Sequence, residues 1–368
     1  MMADIFRRYG NAYLTKYGNR MLPSHKKAIS DIICCRTEKM GGRVYYCPDH
    51  DQIAYKYYSC MNRNCPQCQN DQAEKWLEKQ RKRLINVPYY LVTFTLPKEL
   101  RPLARSNQRL FYRIMFYGAV LAMKKCARDP RFIGGMIGCM GVLHTWTRTL
   151  GYHPHIHFLI PAGGLSDDKS TWLPALQKRF LFPVRALMEI YRAVIRDELK
   201  KETVLFSQIP NSVWFKKWVV HCMPAGNGVT VLKYFAPYVF RVAISNNRII
   251  KFGNGKVTFV YRDSSTHQWK KTTLPVFEFM RRFLQHVLPS GFKKVRYYGF
   301  LNSGNKSLVL KLQYTLGTVE PNEETSDDDK QKSPGKPCCP ICGKEMILFS
   351  IRLPEKYHPD VPKQPAPS

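Results

Sequence analysis

The chain has 368 residues, and its 58 Lys and Arg against 27 Asp and Glu leave a formal net charge of +31. That length accommodates two domains and a sizeable core, and that charge suits a polyanion, nucleic acid before an anionic membrane surface. No apolar run reaches 18 residues and Met1 to Gly10 carries Asp4, Arg7 and Arg8, so neither a membrane span nor a secretory signal is expected.

Twelve cysteines in a chain read as non-secreted, several in C-x2-C spacing, point to metal rather than disulfides. Residues 20 to 70 form a first unit. Cys65-Pro-Gln-Cys68 has the spacing of a zinc knuckle, and Cys47-Pro-Asp-His50 repeats it with His as second ligand. These four are expected to close one tetrahedral structural zinc site. Cys35, Cys60 and His25 are left for a second ion, with Cys34 available as a fourth ligand. Tyr45, Tyr46, Tyr55, Tyr57 and Tyr58 lie between the knuckles with Arg63. They read either as a base-stacking surface, with Arg63 on DNA, or as the core of a small domain. Gln69 to Asn86 reads as a basic helix, with Trp76, Leu77 and Leu84 near one face, joining this unit to the next.

A second domain is expected from Pro88. Tyr89 to Leu96 is β-branched and aromatic, stops at Pro97, and reads as a buried strand. A helix follows, about Asn107 to Ala127. In the stretch GCMGVLHTWTRTLGYHPHIHFLIPAGG, Gly138 to Gly164, four of the ten histidines fall between His144 and His157. Residues two apart in a strand share a face, so His155 and His157 project side by side, spaced to hold one divalent metal. Val142 to Trp146 reads as the partner strand, and Thr147 to Tyr152 as a hairpin loop. Pairing then sets His144 roughly opposite His155, as the expected third ligand. His153 is the alternative, but it shares the strand of the other two and reaches less readily across the ion. The plainer reading is a half-buried strand with hydrogen-bonded histidines; a single histidine would favour it.

Pro174 to Glu202 reads as a helix interrupted near Pro183, and Val213 to Met223 as short and mixed. Val229 to Ser245, VTVLKYFAPYVFRVAIS, holds Tyr234 and Tyr238 four apart, on one face of a helix. Tyrosine can act as a covalent nucleophile, although an aromatic pair at this spacing is more often core. Pro237 between them is expected to kink the helix or start it. Arg241, one turn from Tyr238, is a candidate for phosphate contact, and Arg248 follows in the same basic segment, a further expected DNA contact. Phe252-Gly-Asn-Gly-Lys256 is hairpin chemistry between strands at 248–251 and 256–261. Leu274 to Leu288 reads as a helix, and Gly291 to Phe300 as either a phosphate-tracking segment or an edge strand. Glu320 to Asp329 is acidic and reads as a disordered linker, followed by Cys339-Pro-Ile-Cys342-Gly343, half a zinc site, and a Pro-rich tail from Pro359.

His155-Ile156-His157 resembles the HUH motif of single-strand DNA nickases. The longer string LHTW…LGYHPHIHFLIPAGG resembles the HUH transposases of rolling-circle insertion sequences, the group with an N-terminal cysteine-rich zinc domain. The resemblance spans about Arg20 to Asn305. It includes CRTEKMGGRVYYC…SCMNRNCPQCQ for the zinc domain, Tyr234 and Tyr238 for a YxxxY pair with the Arg-rich segment after it, and HVLPSGFKKVRYYGFL for the closing segment. It implies an α+β, HUH-endonuclease-like domain with an antiparallel sheet, flanking helices and a small zinc-binding domain before it. The expected division is 1–86 zinc-binding and connecting helix, 87–306 catalytic, and 307–368 acidic linker and CxxC tail. The implied activity is a transposase that nicks and rejoins single-stranded DNA at element ends through a 5′-phosphotyrosine link. His155, His157 and His144 would hold the catalytic ion. Mg²⁺ prefers oxygen ligands, whereas imidazoles suit Mn²⁺ better, so either is carried forward. The expected setting is the cytoplasm, at the nucleoid of a prokaryote. The chain has no G-x4-GK[ST] signature, so unwinding would fall to a host helicase or replication protein. A non-catalytic zinc-dependent DNA-binding protein, a plasmid relaxase and a replication initiator are the alternatives.

Overall fold

The structure, a computed structural model, describes residues 1–240, 243–263, 265–317 and 336–354, with backbone alone at 69–74, 233, 234, 236–238 and 240. The acidic linker and the Pro-rich tail lie outside the described residues. The fold is α+β. Its centre is a five-stranded antiparallel sheet in the order Val295–Tyr298, Cys139–Trp146, Tyr152–Pro161, Pro88–Thr95, Val220–Asn227.

Alternation along the strands gives this sheet two different faces. On one, Val92, Phe94, Leu143, Ile156, Phe158 and Ile160 are buried beneath the helices Gln108–Ala127 and Val184–Lys200. Phe158 stands edge-on to Phe94 at 5.9 Å and to Phe116 at 6.1 Å. Gly141 makes room for this packing, because a Cβ there would lie 2.6 Å from the Phe158 ring. On the other face, Tyr89, Met140, Val142 and Leu159 are covered by Val231, Leu232 and Phe235 of the helix Gly228–Phe240. The histidines occupy the far end of this second face.

A second core joins the chain's beginning to its later part. The helices Met2–Tyr17 and Pro23–Cys34 pack on a three-stranded sheet, Ile249–Gly253, Lys256–Arg262 and Trp269–Pro275, and on the helix Val276–Leu284. Phe6 meets Phe283 at 5.4 Å, edge to face. The unit expected at 1–86 therefore shares its core with residues assigned to 87–306. The strand Ile347–Arg352, expected in a separate tail, pairs with Gly42–Cys47. Among the described residues no helix is long and apolar enough to cross a membrane.

Local differences have local causes. The helix expected from Pro174 begins only at Val184, because Pro183 caps it with φ −68° and ψ 119°. The mixed stretch near Val213 ends in an edge strand, Val220–Asn227. Its pairing shifts register between Tyr89 and Tyr90, where Tyr90 faces Pro224, and that shift hides its alternation in sequence. The basic helix stops at Arg81, five residues early. The hairpin at Asn254 and Gly255 forms as expected, with φ of 46° and 69°.

Phe158→Ala removes a fully buried ring from the main core. Chemical denaturation should show a loss of about 3–5 kcal/mol, whereas Phe215→Ala, at an 85% exposed position, should stay within about 0.5 kcal/mol of wild type.

Candidate metal centre and DNA-facing site

The hairpin Cys139–Trp146 and Tyr152–Pro161 sets His144 directly across from His155. Thr93 on the other neighbouring strand sits opposite His157. The burial of the central strand alternates as the period requires: Pro154, Ile156 and Phe158 are buried, whereas His153, His155 and His157 are half-buried. Ring centroids lie 5.3 Å apart for His144 and His155, 4.6 Å for His144 and His157, and 4.8 Å for His155 and His157. One nitrogen from each falls within 4.8 Å of the other two.

Hydrogen bonds orient the rings. His155 Nδ1 donates to the His153 carbonyl at 2.7 Å, so its Nε2 is the side left for a metal. His157 Nδ1 is bonded to Thr93 Oγ1 at 2.8 Å. Such outer partners orient metal-binding imidazoles. Burial lowers the pKa of all three histidines, to about 3 for His157, so their lone pairs are unprotonated at neutral pH. The donor set fits a divalent ion of the imidazole-binding kind. His153, the alternative ligand, instead supplies the carbonyl that holds His155.

Trp146 stacks on His144 at 5.2 Å, and Lys294 Nζ lies 4.7 Å from the Trp146 ring centroid. Burial pushes the Lys294 ammonium down to about 7, and Nζ donates to the Val239 carbonyl at 3.3 Å. Phe235 reaches His157 at 6.1 Å, so the helix Gly228–Phe240 lies over the histidines. That helix runs unbroken through Pro237. Tyr234 and Tyr238 both belong to it, but their side chains lie outside the described part, and Arg241 lies outside the described residues altogether. At about 100° per residue, positions 234 and 238 share one flank of the helix beside Phe235.

The cysteines group differently from the sequence expectation. Cys47, His50, Cys65 and Cys68 do not form one site. Cys35, Cys60, Cys65 and Cys68 converge as one set, and Cys47, His50, Cys339 and Cys342 as another. The hairpin Gly42–Tyr57 explains this split. Its base returns the chain to the end of the helix Pro23–Cys34, where Arg36 N–H donates to the Tyr58 carbonyl, and so brings Cys60 beside Cys35. Its tip carries Cys47 and His50 away. Sulfur atoms stand 3.2 Å apart for Cys35 and Cys68 and 3.6 Å for Cys60 and Cys68. Four thiolates at about 2.3 Å from a tetrahedral zinc have similar spacing. His25 belongs to neither set. It is half-buried, its Nε2 is shielded from solvent with no hydrogen-bond partner, and desolvation lowers its pKa to about 4.

Arg63 is spent inside the protein rather than on a surface: its guanidinium donates to the Phe292 carbonyl and, at 2.8 Å, to that of Pro289. Arg248 donates to the Val260 carbonyl at 2.8 Å and lines a cleft of about 230 Å³ with Trp146, Arg148, Arg262 and Trp269. A larger groove of about 1100 Å³ runs along the sheet edge and is lined by Arg105, Arg109, Arg113, Lys293, Arg296 and Phe292, among other residues. Sequence reasoning missed Thr93 and Lys294. Thr93 shares parity with Tyr89 and Leu91, a signal that was present; Lys294 lies in a basic-aromatic run whose register had no local marker.

Residues 5–96 match the family described as "Transposase zinc-binding domain", of IS91 type, and residues 138–307 match the one described as "Putative transposase". The chain belongs to the IS91 family of transposases, which are HUH rolling-circle transposases. It is 37% identical to "Putative transposase y4qJ" of Sinorhizobium fredii, over 95% of each chain. It is 28% identical to the transposase for insertion sequence element IS801 of Pseudomonas savastanoi pv. phaseolicola, over 75% of this chain and 70% of that one. No solved structure matches it.

Calorimetric titration with Mn²⁺ tests the histidine cluster without DNA. His144→Ala, His155→Ala and His157→Ala should each remove measurable binding while leaving the far-ultraviolet dichroism unchanged. Thr93→Val, which loses only the bond to His157, should weaken binding by about tenfold.

Proposed function

We propose that this transposase nicks and rejoins single-stranded DNA at the ends of its element, using Tyr234 and Tyr238 as nucleophiles and forming a 5′-phosphotyrosine link. The observation that carries this reading is the convergence of His144, His155 and His157 beneath the helix that bears both tyrosines. A divalent ion bound there, Mg²⁺ or Mn²⁺, would polarise the scissile phosphate and stabilise its extra negative charge.

The chain's own residues do the rest. A tyrosine hydroxyl oxygen attacks phosphorus and gives up its proton. The new O–P bond replaces the bond to the 3′ oxygen, which takes a proton and leaves as a 3′-OH. The phosphodiester's energy stays in the tyrosyl ester, so a 3′-OH can later attack it and restore both the DNA and the tyrosine without ATP. Two tyrosines on one flank allow two such links in turn. The half-buried Lys294, with its lowered pKa, is suited to hold charge or a proton near this centre. Arg241 and Arg248 are proposed on DNA phosphate, with the basic edge groove as a further track for the strand. Cys35, Cys60, Cys65 and Cys68 are proposed to hold structural zinc. With DNA as partner, the protein would act at a prokaryotic nucleoid and take its single strand from a host helicase or replication machinery. Identity of 37% to a relative named as a putative transposase, over 95% of each chain, favours this over a relaxase, a replication initiator or a non-catalytic DNA-binding protein.

Incubation with single-stranded DNA carrying an element end, in Mn²⁺, should yield a covalent adduct on a denaturing gel. Each single Tyr→Phe variant should retain some adduct and the double variant none. Adduct from the double variant would reassign the nucleophile. Binding of the same DNA should weaken with salt at a log–log slope of roughly −0.7 per phosphate neutralised; a flat response would remove the electrostatic account.

A further inference from the structure

The second cysteine set joins parts of the chain that sequence keeps far apart. Cys47 and Cys342 are separated by 295 positions, yet their sulfur atoms lie 3.9 Å apart, and Cys47 Sγ is 3.9 Å from His50 Nδ1. We propose that Cys47, His50, Cys339 and Cys342 form a second structural zinc site, one that clips the C-terminal segment onto the N-terminal hairpin.

The two halves are built alike. Each is a C-P-x-[C/H] turn followed by a residue in the left-handed region, Asp51 at φ 51° and Gly343 at φ 72°. In each, backbone N–H groups two and three positions on point to the first sulfur: Asp49 and His50 to Cys47, Ile341 and Cys342 to Cys339. In each, antiparallel pairing closes behind the turn: Cys47 opposite Gln52, and Cys338 opposite Glu345. Two such knuckles facing each other are the two halves of a tetrahedral Cys₃His site.

The surroundings fit a clip. Ile347–Arg352 adds a third strand to the hairpin, with Gly42 opposite Arg352 and Tyr46 opposite Ile347. Gly41, at φ 64°, permits this approach, since a Cβ there would stand 2.5 Å from the Arg352 carbonyl oxygen. Lys344 pairs with Asp49 at 2.8 Å across the two knuckles, but both are exposed, so the pair adds little. The shared apolar core holds only Tyr45, Cys47, Cys339 and Met346 fully buried. Ile347, Phe349, Ile351 and Leu353 remain exposed. So small a core does not hold a returning strand without help, and metal coordination is the usual remedy in units of this size.

Full-length protein tests this by zinc analysis together with cysteine alkylation read by mass spectrometry. Wild type should carry two zinc ions per chain, with Cys339 and Cys342 protected while the exposed neighbour Cys338 reacts. Replacing the far half, Cys47→Ala with His50→Ala, should lower zinc to one and make Cys339 and Cys342 as reactive as Cys338. Cys35, Cys60, Cys65 and Cys68 should stay protected, which reports that the rest remains folded. Should the hairpin variant fail to fold, Cys339→Ser with Cys342→Ser decides, because it lies outside the large cores and should also lose one zinc. Two ions retained in either folded variant, or protection of Cys339 and Cys342 unchanged by the hairpin substitutions, would overturn the site. So would one ion in wild type.

Discussion

The two-residue period of the strand Tyr152–Pro161 is the constraint on which the rest depends. One parity sends Ile156 and Phe158 into the apolar core under two long helices. The other sends His155 and His157 to the opposite face. A slip of one residue would bury two imidazoles in that core and turn two large apolar side chains toward the metal position. The packing around Phe158 therefore fixes the register of the histidines as well as stabilising the sheet. The same pairing sets His144 and Thr93 on either side without further design.

This dependence explains what could be read from the sequence. The histidine hairpin was legible because its second strand alternates and its loop is short, so the pairing of His144 with His155 followed from counting. The strand before it was legible from its β-branched and aromatic run. The edge strand Val220–Asn227 was not, because Pro224 and Gly226 break its pattern and its pairing carries a bulge. The membership of the zinc sets was not legible either. Spacing identifies a knuckle, but which two knuckles share an ion is decided by where a hairpin tip and base end up in space. Here that decision joins Cys47 to Cys342, and no local signal could have paired them.

Chain order and spatial order differ throughout. The first helices share a core with Val276–Leu284, and the last described strand lies beside Gly42–Cys47. Arg63, placed by composition on the DNA side, instead donates to the carbonyls of Pro289 and Phe292 and ties the cysteine-rich region to the closing segment that carries Lys294. Zinc held by the two proposed sets would act at junctions. Its binding energy in small domains, about 10–16 kcal/mol in zinc-finger peptides, exceeds what a core of four residues supplies. The five-stranded sheet, by contrast, is held by its own apolar face, so its shape does not rest on the histidines.

The central claim is that strand alternation brings three imidazoles to one ion. The most direct measurement is anomalous diffraction from crystals of the protein soaked in Mn²⁺. The account predicts a single strong peak within bonding distance of one nitrogen from each of His144, His155 and His157, on the side facing the helix Gly228–Phe240. A peak held by fewer than two of these histidines, or no peak at the cluster while Mn²⁺ binds elsewhere, would contradict it.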